Sequence, residues 1–97
     1  MEIYKVEWQL QAKVDLINIR SYLVEQDALT TILKTITKKA NDLFYFPARY
    51  RKIKSKSDLR LLVVKDYSVF YRIIEHKKLV QIMHVWHHSK DIRKLVY

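Results

Sequence analysis

The sequence contains no glycine, and this absence excludes several common classes of enzyme. Phosphate-binding P-loops, dinucleotide-binding turns and the nucleophile elbow of α/β-hydrolases need backbone with positive φ or close approach to a ligand, which glycine provides. Most nucleotide-dependent enzymes and the α/β-hydrolases are therefore excluded. Turns must be made by other residues, and we expect them at Asp66-Tyr67 and at His76-Lys77-Lys78.

Cysteine is also absent, so neither a disulfide framework nor a thiolate zinc site can form. The N-terminus lacks the basic start and the apolar run of a signal peptide. The longest aliphatic run, Leu61 to Val64, is far shorter than the ~20 residues that span a bilayer. We therefore expect a soluble, cytoplasmic protein without membrane association. Its 97 residues leave room for a single domain over residues 1–97.

The chain has a formal net charge of +9, and its positive charge is concentrated in one half of the sequence. Residues 1–48 carry six basic and six acidic side chains, which cancel. Residues 49–97 carry thirteen basic and four acidic side chains and account for the whole excess. A one-sided basic field predicts a polyanionic or acidic partner, either a nucleic acid or an acidic protein.

Apolar periodicity in the first half predicts a short strand followed by two helices. Alternation over residues 2–8 indicates the strand, and helical spacing extends from Gln9 to about Glu25. The apolar positions of this first helix are Leu10, Val14, Ile17 and Val24, with Leu16, Ile19 and Leu23 beside them. Asp27 can cap the second helix, and Pro47 stops it. We expect the apolar stripe of the second helix to be core: Leu29, Ile32, Leu33, Ile36, Ala40, Leu43 and Phe44.

The second half predicts a basic connector and three strands. The connector covers residues 49–57, and β-rich segments follow at 59–65, 68–75 and 79–86. Their links are too short for parallel crossovers, so an antiparallel meander is expected. Buried Phe70 and Tyr71 are expected within it, and the tail after Ser89 forms a helical turn or an edge strand. The predicted fold is α+β: an N-terminal strand, a helical hairpin and a three-stranded antiparallel meander, with the helices on one sheet face.

Four motifs in this order resemble the RelE/ParE family of toxins. They are VDLINIRSYL at 14–23, LFYFPARYR at 43–51, YSVFYRI at 67–73 and MHVWHHSKDI at 83–92. The resemblance covers nearly the whole chain and implies the toxin of a type II toxin–antitoxin system. It also implies a cognate acidic antitoxin as partner and no cofactor.

The family divides by target, so the resemblance leaves the activity open. The ParE-like branch poisons DNA gyrase without catalysis, whereas the RelE-like branch cleaves mRNA on the ribosome. RelE-like enzymes place an arginine early on the strand YSVFYRI, where this chain has Ser68. This difference favours gyrase poisoning. A ribosome-dependent endoribonuclease, an inactive family member and a plain nucleic-acid-binding domain stay as alternatives.

Candidate site residues follow from the basic half and from the end of the last strand. His84, His87 and His88 lie close in sequence, but alternation along a strand separates them, so no metal site is expected. If the chain cleaves RNA, the catalytic candidates are His87, His88, Arg60 and Arg72. We expect Arg60 and Arg72 on the open sheet face or its rim. The target-binding candidates are Arg49, Arg51, Lys52, Lys54, Lys56, Arg60, Arg72, His88 and Lys90.

Overall fold

The computed structural model describes residues 2–22 and 28–88, which form two helices on a four-stranded sheet. The elements are β1 (Lys5–Trp8), α1 (Leu10–Tyr22), α2 (Ala28–Asn41), β2 (Arg60–Val64), β3 (Tyr67–Ile74) and β4 (Leu79–His87). Short 3-10 turns follow α2 at Asp42–Phe44 and Pro47–Arg49, and a third, Glu75–Lys77, links β3 to β4. The predicted α+β architecture is confirmed. Within this part of the chain, no helix is long and apolar enough to cross a membrane.

The sheet has the order β1-β4-β3-β2 and is mixed. β2, β3 and β4 form the predicted antiparallel meander. β1 is parallel to β4, with Lys5 opposite Leu79 and Trp8 opposite Ile82. β2 runs in the same direction as β1, and the helical hairpin between them is the crossover that such a parallel connection requires. The helices therefore cover one face of the sheet, and among the described residues neither helix packs on the opposite face, which we call the open face.

The helix-covered face holds the core. α2 contributes Ile36 and Ala40 to it, and the 3-10 turn that follows contributes Leu43, as the apolar periodicity predicts. The strands contribute Leu62, Val64, Tyr67, Val69, Tyr71, Val80, Ile82 and Val85. Tyr71 and Phe70 are both buried, as expected, although Phe70 lies outside this cluster.

The end of α2 corrects one core expectation. The α-helix ends at Asn41, and residues 42–44 tighten into a 3-10 turn, which changes the angle between successive side chains. Leu43 stays fully buried, whereas Phe44 is 43% exposed. The Phe44 carbonyl accepts the N–H of Tyr4 and ties this turn to the strand before β1. The side chain of Leu29 and the proposed cap Asp27 lie outside what the structure describes.

The buried face of α1 is also different from the expected one. Leu10 is 77% exposed and Ile17 62% exposed, and Val14 lies with them on the outer side. The face toward the sheet instead carries Ala12 and Asp15, with Leu16 and Ile19 packed at its border. Apolar periodicity failed here because a hydrogen-bonded carboxylate occupies the centre of the inner face.

Asp15 replaces a missing strand at the edge of β4. β1 ends at Trp8, opposite Ile82, while β4 continues to His87. Beyond β1, the Val85 N–H donates to Asp15 Oδ2 at 2.9 Å. Asp15 Oδ1 accepts from Gln11 Nε2 at 3.0 Å, and His84 Nδ1 lies 3.6 Å from Asp15 Oδ2. The Asp15 carboxylate therefore fastens α1 to β4.

Three non-glycine residues have left-handed backbone, a conformation that glycine adopts most easily. Lys65 and Lys78 have φ of 53° and 47° at the β2–β3 and β3–β4 turns, and Phe46 has φ of 48°. Each such non-glycine residue costs of the order of 1–3 kcal/mol. The turn at residues 76–78 lies where it was expected, whereas the first turn is formed by Lys65 and Asp66, one residue earlier than expected, because Tyr67 already begins β3. The chain accepts this strain in the absence of glycine.

We predict that Asp15→Ala lowers the free energy of unfolding by about 1–3 kcal/mol, because it leaves the buried Val85 N–H without an acceptor. Asp15→Asn should recover part of the loss, since its amide oxygen can accept the same bond. Asn18→Ala, on the exposed side of the same helix, is the control. Urea unfolding measures all three variants. Equal stability of Asp15→Ala and Asn18→Ala would contradict the assigned role of Asp15.

Candidate target-binding surface

The basic connector, residues 49–57, is fixed along the outer edge of β2. The Leu61 N–H donates to the Arg51 carbonyl at 3.1 Å, and the Ile53 N–H donates to the Leu59 carbonyl at 2.9 Å. The Ser57 N–H then closes a turn onto the Lys54 carbonyl at 3.1 Å. Ser57 is buried, and its Oγ accepts the Leu59 N–H. The connector is therefore an ordered border of the sheet.

Arg60 and Arg49 hold this border in place. Arg60 Nη1 donates to the Tyr50 carbonyl at 2.6 Å and to the Ala48 carbonyl at 3.3 Å. Arg49 Nη2 donates to the Asp42 carbonyl at 3.0 Å, and its guanidinium lies over the Tyr50 ring. Arg60 is on the same side of β2 as the core residue Leu62, so it lies at the rim of the helix-covered side. The expectation that it lies on the open face was wrong. Both guanidiniums are engaged with the chain's own backbone.

Arg72 lies away from the connector. Its Nε donates to Gln81 Oε1 on β4 at 2.7 Å, and Gln81 Nε2 donates to Glu7 Oε1 on β1 at 3.3 Å. This polar row runs toward β1, whereas the connector borders β2 at the opposite edge. The structure therefore does not bring Arg72 together with the connector lysines.

An aromatic and apolar patch occupies the open face between these two groups. Val63, Ser68 and Trp86 lie side by side on three neighbouring strands. Val63 is 52% exposed, and the Trp86 ring meets Phe70 edge-on at 5.6 Å between centroids. We call Val63, Ser68 and Trp86, together with the buried Phe70 that contacts Trp86, the open-face patch. Ser68, the position of the RelE-like arginine, lies at its centre.

His84 and His87 on β4, and His88 just after it, lie in different surroundings. His84 is nearly buried beside Asp15, and the extra residue Met83 bulges β4 next to it. His87 meets the Tyr67 ring edge-on at 5.2 Å. His88 is exposed, and its N–H donates to the Asp66 carbonyl at 2.8 Å. Over residues 2–22 and 28–88, no three metal-ligating side chains converge. Lys90 lies outside the described residues.

A family model for the ParE toxin of the type II toxin–antitoxin system parDE matches residues 6–92. The chain belongs to the ParE toxin family. No match was found among curated proteins.

Solved structures share the fold of this ParE-family toxin. The RelBE2 toxin–antitoxin complex of Mycobacterium tuberculosis aligns with a TM-score of 0.72 and 22% identity, covering 93% of this chain and 97% of the other. The chromosomal ParDE system of P. aeruginosa gives 0.73 and 16% identity, covering 88% and 96%. The intact E. coli RelBE complex gives 0.64 and 16% identity, covering 87% and 95%. At these identities the likeness establishes the fold alone.

Sequence reasoning missed Asp15 as an organiser of this ParE-family toxin and treated Arg60 as a candidate for target contact. The available signal for Asp15 was its place inside an otherwise apolar helix motif, VDLINI. The backbone bonds of Arg60 had no local signal, because its acceptors lie about ten residues earlier in the chain.

Tyr71 gives the anchored connector a measurable pH dependence. Its hydroxyl donates to the Pro47 carbonyl at 2.6 Å from a fully buried position. Burial raises the pKa of Tyr71 from 10.0 to about 12, and the nearby positive charge of Arg60 opposes this shift. Above pH 10 the unfolded chain loses this proton while the folded chain keeps it, so the free energy of unfolding falls as pH rises toward about 12.

We predict that Tyr71→Phe makes this alkaline loss of stability shallower than in the wild type. At pH 7 the variant should be less stable by about 1 kcal/mol, since it lacks the hydrogen bond to Pro47. Urea unfolding between pH 8 and about 12 measures the slope. The exposed Tyr45→Phe is the control. A Tyr71→Phe slope equal to that of the wild type would contradict the pKa assignment.

Proposed function

We propose that this ParE-family toxin arrests growth by binding DNA gyrase and stabilising the complex in which gyrase has cleaved DNA. The observation that carries the proposal is Ser68 at the centre of the open-face patch. An exposed aliphatic residue and a partly exposed tryptophan flank it, which is the composition of a protein contact. In this proposal the toxin acts in the cytoplasm, where gyrase and DNA are found.

The described residues also disfavour RNA cleavage. Metal-free cleavage needs a base for the 2′-OH, an acid for the leaving oxygen and a cation for the developing charge. The guanidiniums of Arg60 and Arg72 are engaged elsewhere, on opposite sides of the sheet. His87 packs on Tyr67 rather than beside either arginine. We therefore propose no catalytic role for Arg60, Arg72 and His87, and His88 enters the proposal as a contact residue.

The contact surface with gyrase is the open-face patch, and the basic connector forms a border beside it. Val63 is the most accessible apolar residue of the patch. Arg51, Lys52, Lys54 and Lys56 are the exposed basic side chains of this border, and His88 at the end of β4 lies beside the β2–β3 turn. Arg49 and Arg60 act by holding the border in place.

We predict that purified toxin, mixed with gyrase and plasmid DNA, causes linear DNA to accumulate after protein is removed. Val63→Glu should reduce this effect by about tenfold or more, since it places a charge in the contact. Leu10→Glu makes the same change on the distant outer side of α1 and should leave poisoning within about twofold of the wild type.

Two results would contradict the proposal. One is that wild-type toxin leaves gyrase unaffected but cuts mRNA on purified ribosomes, which would establish the RelE-like alternative. The other is that Val63→Glu and Leu10→Glu poison gyrase equally well, which would place the contact elsewhere on the toxin.

We further propose that a small acidic antitoxin covers the outer side of α1. Leu10, Val14 and Ile17 form an exposed apolar stripe there, at the spacing that accepts an amphipathic helix. The RelBE2 and RelBE toxins were crystallised with their antitoxins, which supports a protein partner for this chain. An acidic antitoxin would also complement the net charge of +9 and speed association.

We predict that Leu10→Glu weakens antitoxin binding by about tenfold or more, while Val63→Glu still binds. Calorimetric titration of each variant with the antitoxin encoded beside the toxin measures both affinities. If Leu10→Glu bound as tightly as the wild type, the stripe would not be part of the antitoxin interface.

A further inference from the structure

The positive charge of the basic connector is not neutralised within the described part of the molecule. Arg51, Lys52, Lys54 and Lys56 are all exposed. Within the described residues, ion pairs join Lys78 to Glu2 and to Glu75, and the His84 ring lies beside the Asp15 carboxylate. No ion pair among these residues involves the connector. Asp58 is the single acid among six bases between Arg49 and Arg60. This concentration of solvated charge needs a partner of opposite sign.

We propose that the connector is a binding site for the phosphodiester backbone of duplex DNA, and that the toxin binds DNA without gyrase. Arg51, Lys52, Lys54 and Lys56 make the contacts. The inference goes beyond gyrase poisoning, because it concerns a property of the isolated chain. Through this contact the toxin binds the same DNA that gyrase cleaves.

The site is preorganised by backbone bonds. The Arg51 carbonyl is bonded to Leu61 of β2, the Ile53 N–H is bonded to Leu59 just before β2, and the turn from Lys54 to Ser57 is closed at 3.1 Å. The Arg60 guanidinium fixes the Tyr50 carbonyl just before it. Fixed backbone lowers the entropy lost on binding, because only the side-chain ends must be ordered.

The spacing of the lysines suits a nucleic acid strand. Two residues of chain span at most ~7 Å, so Lys52 and Lys54 lie within that distance, and the turn keeps Lys56 within about 7 Å of Lys54. The three lysines therefore arise from at most roughly 14 Å of chain, a length of helix axis along which one DNA strand presents about four phosphates. Several contacts can therefore form on one strand at once.

The composition of the connector favours phosphate over an acidic protein. Lysine is depleted in the cores of protein–protein interfaces, which are rich in aromatic side chains. Exposed lysine and arginine are the usual contacts to the DNA backbone. Between Arg51 and Ser57 the one apolar side chain is Ile53, which is half-buried. The aromatic side chains lie instead in the open-face patch.

The test is fluorescence anisotropy of a labelled DNA duplex titrated with full-length toxin over a range of salt concentrations. We compare Lys52→Gln/Lys54→Gln/Lys56→Gln with Lys34→Gln/Lys38→Gln/Lys39→Gln, in which three exposed lysines of α2 are changed. Both variants have the same formal net charge. Wild-type affinity should fall with salt at a log–log slope of about −0.9 per phosphate contacted. The connector variant should lose about 2.7 from that slope and tenfold or more in affinity, and the α2 variant should lose neither.

A second measurement needs no variant. When the wild-type toxin is acetylated in the presence of duplex DNA, Lys52, Lys54 and Lys56 should be protected, while Lys34, Lys38 and Lys39 react as in free toxin. Equal losses in both triple variants, or absence of any salt-dependent binding, would overturn the proposal. So would displacement of the duplex by polyglutamate at equal charge concentration, which would assign the connector to an acidic protein. Protection by single-stranded RNA but not by duplex DNA would also overturn it.

Discussion

The carboxylate of Asp15 occupies the place where a strand would otherwise pair with the end of β4. Because β1 is short, the last residues of β4 would lose their partner on that side, and a buried N–H would lack an acceptor. Asp15 on α1 accepts the Val85 N–H, so the carboxylate faces the sheet. With Asp15 on the inner face, Leu10, Val14 and Ile17 lie on the outer side of the helix.

A second set of bonds fixes the opposite edge. Tyr71 and Arg60 reach from the strands to carbonyls of the segment between Pro47 and Tyr50. The polar groups of Tyr71 and Arg60 therefore hold the backbone of this segment in place. It leaves the neighbouring lysines free of internal ion pairs within the described residues. The toxin therefore separates into an aromatic patch, a fixed cationic border and an apolar helix face, each suited to a different partner.

The sequence predicted those parts of the fold that depend on local periodicity. The stripe of α2 identified Ile36, Ala40 and Leu43, and short links identified the meander. Periodicity could not predict the inner face of α1, because Asp15 bonds to a residue seventy positions later. For the same reason it could not separate Arg60, which bonds to distant carbonyls, from the exposed lysines beside it. The distribution of charge along the sequence identified the basic connector, but it could not predict how the connector is bonded to the edge of the sheet.

The proposal that the toxin binds DNA gyrase rather than cleaving RNA is tested most directly in a growing bacterium. The toxin would be induced alone, and chromosome breaks and transcript 5′ ends would be mapped in the same culture. A gyrase poison predicts double-strand breaks and induction of the DNA-damage response while messages stay intact. Rapid cutting of messages within translated codons, with an undamaged chromosome, would contradict it.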